Sequence, residues 1–223
     1  MVNVDKNIIK KLKSFDLYSF FKDVMIICIG LIISSFGISS FYQTGMGSGA
    51  MATFCDGLHL LLNVSYGTTY MVANIVFLIL LLICDKNMIN VGTIMCVFLI
   101  GIFVDLGNSL FGLFPIATSN VVIRFICMLA GCMMMGIGLA LYVAVDRGFG
   151  ALEGIVKYLC ARTKISFSKI KIGQDLLLLS VGILLNASWG IGTLISAVTV
   201  GPIMKVFMVK FQKMLKKPSV NDI

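Results

Sequence analysis

The amino-acid sequence predicts an all-α polytopic membrane protein with about six transmembrane helices and two short re-entrant or half helices, arranged as two pseudo-symmetric, inverted repeats. The chain is 59% hydrophobic and 13% charged, with a mean hydropathy of +1.02, which is more apolar surface than a soluble domain can bury. Its apolar runs are continuous, unlike the alternating strands of a membrane barrel. Two shorter apolar runs follow glycine-rich turns at matching places in the two halves, a pattern typical of transporters.

The charged residues and the cysteines exclude several classes of function. The net charge of +8 would suggest nucleic acid in a soluble protein, but much of the positive charge lies in the tails and in one loop, as at the inner face of a membrane. We therefore expect no nucleic-acid partner. The seven cysteines are scattered singly and are interpreted as reduced packing residues. Because no catalytic, metal or cofactor motif occurs, the sequence predicts no enzyme, metal site or cofactor.

The predicted elements follow from the apolar runs, since a bilayer core of roughly 30 Å requires about 20 helical residues. Residues 1–23 are expected to form a basic amphipathic segment on the inner leaflet, with a plain basic anchor as the alternative. The first membrane repeat is predicted at 24–111, the second at 119–208, and a basic cytoplasmic tail at 209–223. The predicted spans are 24–43, 68–84, 91–111, 121–145, 172–185 and 191–208, and the short runs are 50–63 and 151–161.

The two halves of the sequence resemble each other. A shift of 101 residues aligns the glycine-rich turns and the polar positions after them, and one deletion later the shift becomes 100. The aligned pairs include Gly47 with Gly148, Gly49 with Gly150, Asn74 with Asp175, and Thr93 with Thr193. Because the similarity is collinear, each half is expected to be one structural unit.

The distribution of Lys and Arg predicts the orientation in the membrane. With the N-terminus inside and six crossings, the outside segments 44–67, 112–120 and 186–190 contain no Lys or Arg, whereas the inside loops and both tails are basic. This is the positive-inside pattern, and an odd number of crossings per half makes the halves inverted. In the alternative, both short runs cross fully, which gives eight spans and parallel halves, and places Lys86 and Arg147 outside.

The glycine-rich turns form the candidate substrate site. A break in a membrane helix is tolerated only against protein or a wet cavity, and helices that begin after Gly49 and Gly150 would direct free N–H groups inward. We expect these tips to bind an anionic or polar part of a solute; in the alternative, the glycines only allow helices to approach closely. The candidate substrate-binding residues are Gly47, Gly49, Asn74, Thr93, Arg147, Gly148, Gly150, Glu153, Asp175 and Thr193.

Two charged residues near the predicted outer surface are expected to interact. Charges inside membrane spans are expensive and are functional candidates. Asp105 lies near the outer end of the third span, and Arg124 lies near the outer start of the fourth, with a short loop between them. They are predicted to form an ion pair or an outer gate.

The second short run carries the most central acidic residue, Glu153. Burial of a carboxylate favours its protonated form, so Glu153 is a candidate for proton coupling; an alternative is that it caps the helix or pairs with Arg147. Asp175, near the inner start of the fifth span, is expected within reach of Arg147 or Lys171.

Several motifs resemble those of YitT/YczE-type bacterial integral membrane proteins. They are Ser-Tyr-Gly-Thr at 65–68, Gly-Thr at 92–93, Ile-Gly-Ile-Phe-Val-Asp at 100–105, Gly-Phe-Gly-Ala-Leu-Glu-Gly at 148–154, Ile-Gly-Gln-Asp at 172–175, Gly-Ile-Gly-Thr at 190–193 and Gly-Pro at 201–202. The resemblance covers most of residues 24–208 and implies a membrane fold but no substrate. Where that family often has Pro-Trp-Asp and Pro-Arg-Asp, this chain has Ala-Met-Ala at 50–52 and Ala-Leu-Glu at 151–153, so only the second half keeps the acid.

The sequence favours two functional hypotheses. In the first, the protein is a small secondary transporter of a small polar or anionic solute, and the halves rock about a site near the midplane. In the second, it is a non-transporting accessory or scaffold protein that docks a partner through its basic inner face. Both hypotheses place it in the bacterial cytoplasmic membrane as a multi-pass protein with both termini inside. The lipid bilayer is its expected partner, and the sequence leaves a homo-oligomer open.

Overall fold

In the computed structural model, which describes residues 17–215, the chain is all-helical over that range. The predicted basic segment up to residue 16 and the end of the predicted tail, 216–223, lie outside the described residues. A short 3₁₀ turn, Lys86–Met88, follows the third helix. The helices in the described range are α1 (Leu17–Gln43), α2 (Ala50–Leu62), α3 (Tyr66–Asp85), α4 (Val91–Phe111), α5 (Val121–Ala144), α6 (Ala151–Thr163), α7 (Phe167–Leu184) and α8 (Ile191–Leu215).

The surface of the bundle is apolar and its interior is rich in hydroxyl groups. Large aliphatic side chains such as Ile83, Leu184 and Val198 are more than 70% exposed, which a soluble protein avoids. The fully buried polar residues are Ser34, Ser35, Ser39, Thr44, Thr53, Thr69 and Thr93. Small hydroxyl residues between helices and aliphatic residues facing outward are typical of a bundle in lipid, so the membrane class predicted from composition agrees with the structure.

Five of the helices in the described range are long and apolar enough to cross a membrane, counting α3 together with its 3₁₀ turn. They are α1, α3, α4, α5 and α8. The sixth predicted span, 172–185, overlaps α7, which ends at Leu184, has 18 residues and carries Lys169, Lys171 and Asp175 in its first half. Three charges in so short a helix set α7 apart from the five apolar spans.

Helices α1 and α5 pack closely against each other and run antiparallel. A Cβ on Gly30 would lie 2.8 Å from the carbonyl oxygen of Gly138, and a Cβ on Gly37 would lie 2.8 Å from that of Gly131. The contact residue in α1 moves from 30 to 37 while its partner in α5 moves from 138 to 131, so the two helices run in opposite directions. Small residues let the two backbones touch, as in other membrane helix pairs.

The remaining long helices pack in parallel and antiparallel pairs around α1 and α5. Ser35 donates to the carbonyl of Ile100 at 3.3 Å, and Ser39 donates to that of Val104 at 2.8 Å, so α1 and α4 run in the same direction. A Cβ on Gly192 would lie 3.1 Å from Met128, and a Cβ on Gly136 would lie 2.5 Å from Ile203, so α5 and α8 also run in the same direction. Helix α3 packs against α4 and runs antiparallel to it, since Gly67 lies near Asp105 and Met71 lies near Gly101.

The two short helices begin at the predicted residues and end within two residues of the predicted ones, since the runs were predicted at 50–63 and 151–161 and the helices are Ala50–Leu62 and Ala151–Thr163. Each has 13 residues, about 20 Å at 1.5 Å per residue, which is less than the roughly 30 Å core of a bilayer. Each begins after an extended glycine, Gly49 or Gly150, and ends at a left-handed residue, Asn63 or Lys164. Helix α2 packs against α7 of the other half, and α6 packs against α3.

Candidate functional site

The two glycine-rich turns adopt matching conformations. We call residues 44–49 the first loop and residues 145–150 the second loop. Gly47 has φ +103° and Gly148 has φ +122°, a region that favours glycine. A Cβ on Gly47 would lie 2.6 Å from the hydroxyl of Thr193, and a Cβ on Gly148 would lie 2.7 Å from that of Thr93. Both glycines are therefore required by conformation and by space.

Each loop is bound to the first turn of a helix in the other half. Gly192 N–H donates to the carbonyl of Met46 at 2.9 Å, and Gly92 N–H donates to the carbonyl of Arg147 at 2.9 Å. Ser48 N–H donates to the hydroxyl of Thr193 at 3.2 Å. In this conformation the Ser48 N–H, just before the predicted helix tip, is therefore bound by the protein itself.

The predicted threonines have structural partners in this conformation. Thr93 is fully buried, and its hydroxyl accepts from Asn90 N–H at 3.4 Å within a capping box at the start of α4. Thr193 is 6% exposed and binds the first loop. The structure brings each threonine to the glycine of the opposite loop, so the predicted residues meet in pairs.

A charged side chain of the other half also contacts each loop. Arg124 Nε donates to the carbonyl of Thr44 in the first loop at 2.8 Å. Arg147, in the second loop, donates from Nε to Asp23 Oδ2 at 2.8 Å. Asp23 is 4% exposed, and its ion pair with Arg147 joins the start of α1 to the end of α5.

The predicted ion pair between Asp105 and Arg124 is absent from the salt bridges of residues 17–215. Asp105 instead accepts from Gly67 N–H at 2.7 Å and from the hydroxyl of Ser65. It thus caps the N-terminus of α3, where unpaired N–H groups and the helix dipole favour a carboxylate. The ion pair is not formed in this structure because both charges lie near one end of the bundle but bind different elements. The alternative, an outer gate, stays a prediction.

Glu153 and Asp175 lie together around Lys171. Lys171 Nζ is 4.0 Å from Glu153 Oε1 and 2.9 Å from Asp175 Oδ1, so of the two partners considered for Asp175, Lys171 is the one observed. The Glu153 side chain is 40% exposed. The structure does not bring Arg147 to either acid, because its guanidinium binds Asp23.

Asn74 is buried, and its amide donates to the carbonyl of Tyr70 at 2.9 Å, one turn earlier in α3. This bond is local to α3, and among the described residues the structure does not join Asn74 to the loops.

Sequence reasoning missed two buried acids. Asp23 was not singled out, although the 101-residue shift aligns it with Arg124, and this alignment was a usable signal. Asp56, on the first short run, was not a candidate either; it is 2% exposed and accepts from Ser188 N–H at 2.7 Å. It joins α2 to the segment between α7 and α8, and a lone aspartate on a short helix gives no sign of such a partner.

An open cleft of about 530 Å³ lies among the helices of the first half. It opens at the end of the bundle where α1 ends and α3 begins. Of the predicted residues it includes only Asp105. Its lining residues are Tyr42, Gln43, His59, Ser65, Tyr66, Asp105, Asn108 and Ser109.

Comparison with known proteins gives a family but no activity. The chain is 27% identical over 189 residues to the uncharacterized protein YyaS of Bacillus subtilis, covering 81% of this chain and 89% of that protein. It is 23% identical over 180 residues to the uncharacterized membrane protein YczE of the same organism, covering 79% and 80%. An uncharacterized protein of Haemophilus influenzae is 23% identical over 189 residues, covering 84% of both chains.

No solved structure matches the chain significantly. The similarity to YczE supports the resemblance that the motifs gave, a YczE-type membrane family. Residues 21–209 match the family described as "Family of unknown function (DUF6198)". Because this match spans the whole helical bundle except its outermost residues, the chain is a membrane protein that belongs to the DUF6198 family.

Proposed function

We propose that the protein is a small secondary transporter for a polar solute, built from two inverted repeats that move against each other. The observation that carries the proposal is the reciprocal binding of the two loops, since each broken segment is bound by the opposite half. Paired broken segments at the interface of inverted repeats are the usual site of coupling in such transporters. The family has no assigned activity, so the proposal rests on this geometry.

The helix directions support inversion. Because α1 and α4 run in the same direction, the first half makes an odd number of crossings, with α2 re-entering. Helix α5 is antiparallel to α1 and parallel to α8, so the second half follows the same path in the opposite sense. In this proposal α7 is the sixth crossing, and its charged first half lies at the inner surface.

The contacts between the halves support the repeat. The loop bonds from Gly92 to Arg147 and from Gly192 to Met46 have the same length, 2.9 Å. They are equivalent by the repeat, because Gly92 aligns with Gly192 and Met46 aligns with Arg147. The glycine contacts between α1 and α5 exchange in the same way, since Gly30 aligns with Gly131 and Gly37 with Gly138. A two-fold axis between α1 and α5 accounts for both.

The bonds that hold each loop are weak enough to open in turn. The first loop is held by Arg124, Thr193 and the N–H of Gly192. With a net contribution of about 1 kcal/mol for each hydrogen bond, this is about 3 kcal/mol, within the range that a solute can shift between two conformations. We propose that the first loop opens to the outside and the second loop to the inside.

The orientation is testable. With N- and C-termini inside, a cysteine placed at Thr118 is expected to react with a membrane-impermeant maleimide in intact cells, and a cysteine at Asn87 only after permeabilisation. Both variants require a background in which the seven native cysteines are replaced by alanine. Labelling of Asn87→Cys in intact cells would contradict the orientation, and the alternative with eight spans predicts that result.

Transport itself is tested by locking the first loop. Thermal-shift screening of metabolites on the purified protein identifies a solute, and its uptake into proteoliposomes is then measured. In the cysteine-free background, oxidation of Ser48→Cys with Thr193→Cys is expected to reduce uptake at least tenfold, and reduction is expected to restore it.

The control for this experiment is each single cysteine variant, oxidised in the same way. Full uptake by a completely cross-linked double variant would show that the first loop does not open. Absence of uptake for every solute that shifts the unfolding temperature would contradict transport.

A second function, docking of a partner at the inner face, is favoured by the exposed cations Arg162 and Lys164 at the end of α6. Partner capture that is lost on replacement of these two residues, and unaffected by the loop cross-link, would support docking instead.

A further inference from the structure

The cleft in the first half is lined by an aromatic pair. The rings of Tyr42 and Tyr66 stack with centroids 4.2 Å apart and an interplanar angle of 11°. His59 approaches Tyr66 edge-on, with centroids 6.5 Å apart. Aromatic faces are negative and attract cations, most strongly where water is partly excluded. The aromatic wall of the cleft therefore favours a positively charged group with apolar substituents.

The polar lining of the cleft includes two acceptors that a ligand can use, on Asp105 and Asn108. Asp105 is its one carboxylate; it accepts from Gly67 and Ser65, which leaves part of its acceptor capacity available. The side-chain oxygen of Asn108 is buried and has no hydrogen-bond partner within the described range. A buried acceptor without a donor is costly, and a ligand that carries a donor would satisfy it.

No Lys or Arg lines the cleft. The neighbouring segments 44–67 and 112–120 contain none either, and the nearby Arg124 donates from Nε to the carbonyl of Thr44 instead of lining the cleft. An inorganic divalent cation such as Ca²⁺ requires six or more oxygen ligands, and a single carboxylate is a poor basis for such a site. The cleft volume of about 530 Å³ is within the range of small-molecule sites.

We propose that this cleft binds a small organic cation with an ammonium group. The ammonium lies against Tyr42, the less buried ring of the stacked pair, Asp105 neutralises its charge, and a donor on the ligand reaches the Asn108 oxygen. This site does not depend on transport. If transport also occurs, the cleft lies at the proposed outer end and holds the solute before the first loop opens.

The test is titration calorimetry of the whole protein with choline, in a maltoside detergent because phosphocholine detergents carry a competing headgroup. The matched probes are 3,3-dimethylbutan-1-ol, which has the shape of choline without its charge, and sodium acetate. Choline is expected to bind at least tenfold more tightly than either probe. Equal binding of choline and the neutral alcohol, or no binding of choline, would overturn the proposal.

Substitutions locate the site. Asp105→Asn is expected to weaken choline binding at least tenfold, and Tyr42→Leu by about threefold to tenfold. The matched control is Asp85→Asn, which removes a carboxylate that caps the 3₁₀ turn at the other end of α3; choline affinity is expected to be unchanged. An equal loss in the control would overturn the assignment to the cleft.

A further variant adds charge instead of removing it. Since Asp105 also caps α3, Asp105→Asn can fail to fold, whereas Asn108→Asp keeps that cap and is expected to tighten choline binding. Unchanged or weaker binding by Asn108→Asp would overturn the proposal. Choline binding without uptake of any solute into proteoliposomes would support this site and contradict transport. Solute uptake without choline binding would support transport and contradict this site.

Discussion

Replacement of Gly138 by valine is expected to prevent the protein from folding. A Cβ at this position would lie 2.6 Å from the carbonyl oxygen of Gly30, and a helix backbone cannot move away without separating α1 from α5. Even Gly138→Ala is expected to lower the free energy of unfolding by about 1–3 kcal/mol, the usual effect of overpacking. The measurements are the elution profile in detergent for the valine variant and thermal unfolding for the alanine variant.

The matched control is Gly201→Ala on α8, where a Cβ would meet nothing within 4 Å. Alanine favours a helix over glycine by about 0.5–1 kcal/mol, so this variant is expected to be unchanged or slightly more stable in detergent. A Gly138→Ala variant as stable as Gly201→Ala would contradict the close approach of α1 and α5.

Removal of the Arg147 guanidinium is expected to cause the second largest loss of stability. Arg147→Gln deprives the buried carboxylate of Asp23 of its cationic partner. Breaking a buried pair costs about 3–5 kcal/mol, but the Arg147 side chain is 37% exposed and solvent screens part of the interaction. The expected loss of unfolding free energy is therefore about 1–3 kcal/mol, measured by chemical denaturation in detergent.

The control is Lys171→Gln, which removes the cation from a pair whose members are 30% and 40% exposed. Such a pair contributes less than about 1 kcal/mol. The double variant Asp23→Arg with Arg147→Asp is expected to recover part of the stability lost in either single variant. If the double variant is no more stable than the worse single one, the two charges do not act as a pair.

The helices were predictable because lipid imposes a simple rule on sequence. Continuous apolar runs give the long helices, and glycines at fixed spacing give the starts of α2 and α6, at Ala50 and Ala151. Helix α7 was the exception, since its charged first half and its 18 residues place it between a span and a surface helix. Hydropathy alone does not decide that case.

The partners of the charged residues were not predictable in the same way. Position along a span gives the depth of a charge but not the side of the helix on which its partner lies. Asp105 and Arg124 have similar predicted depths, yet one caps α3 and the other binds Thr44. The repeat aligned Gly47 with Gly148 and Thr93 with Thr193, but it did not predict that each glycine meets the threonine of the other half. An alignment relates equivalent positions and does not say which of them are in contact.

The contact between the first loop and α8 also has a consequence for biosynthesis. The ribosome makes Met46 and Ser48 early, but their partners Gly192 and Thr193 emerge almost at the end of translation. Until then, the nascent chain holds unpaired peptide groups near the membrane, where these are costly. Chains that terminate before α8 are therefore natural targets for membrane quality control.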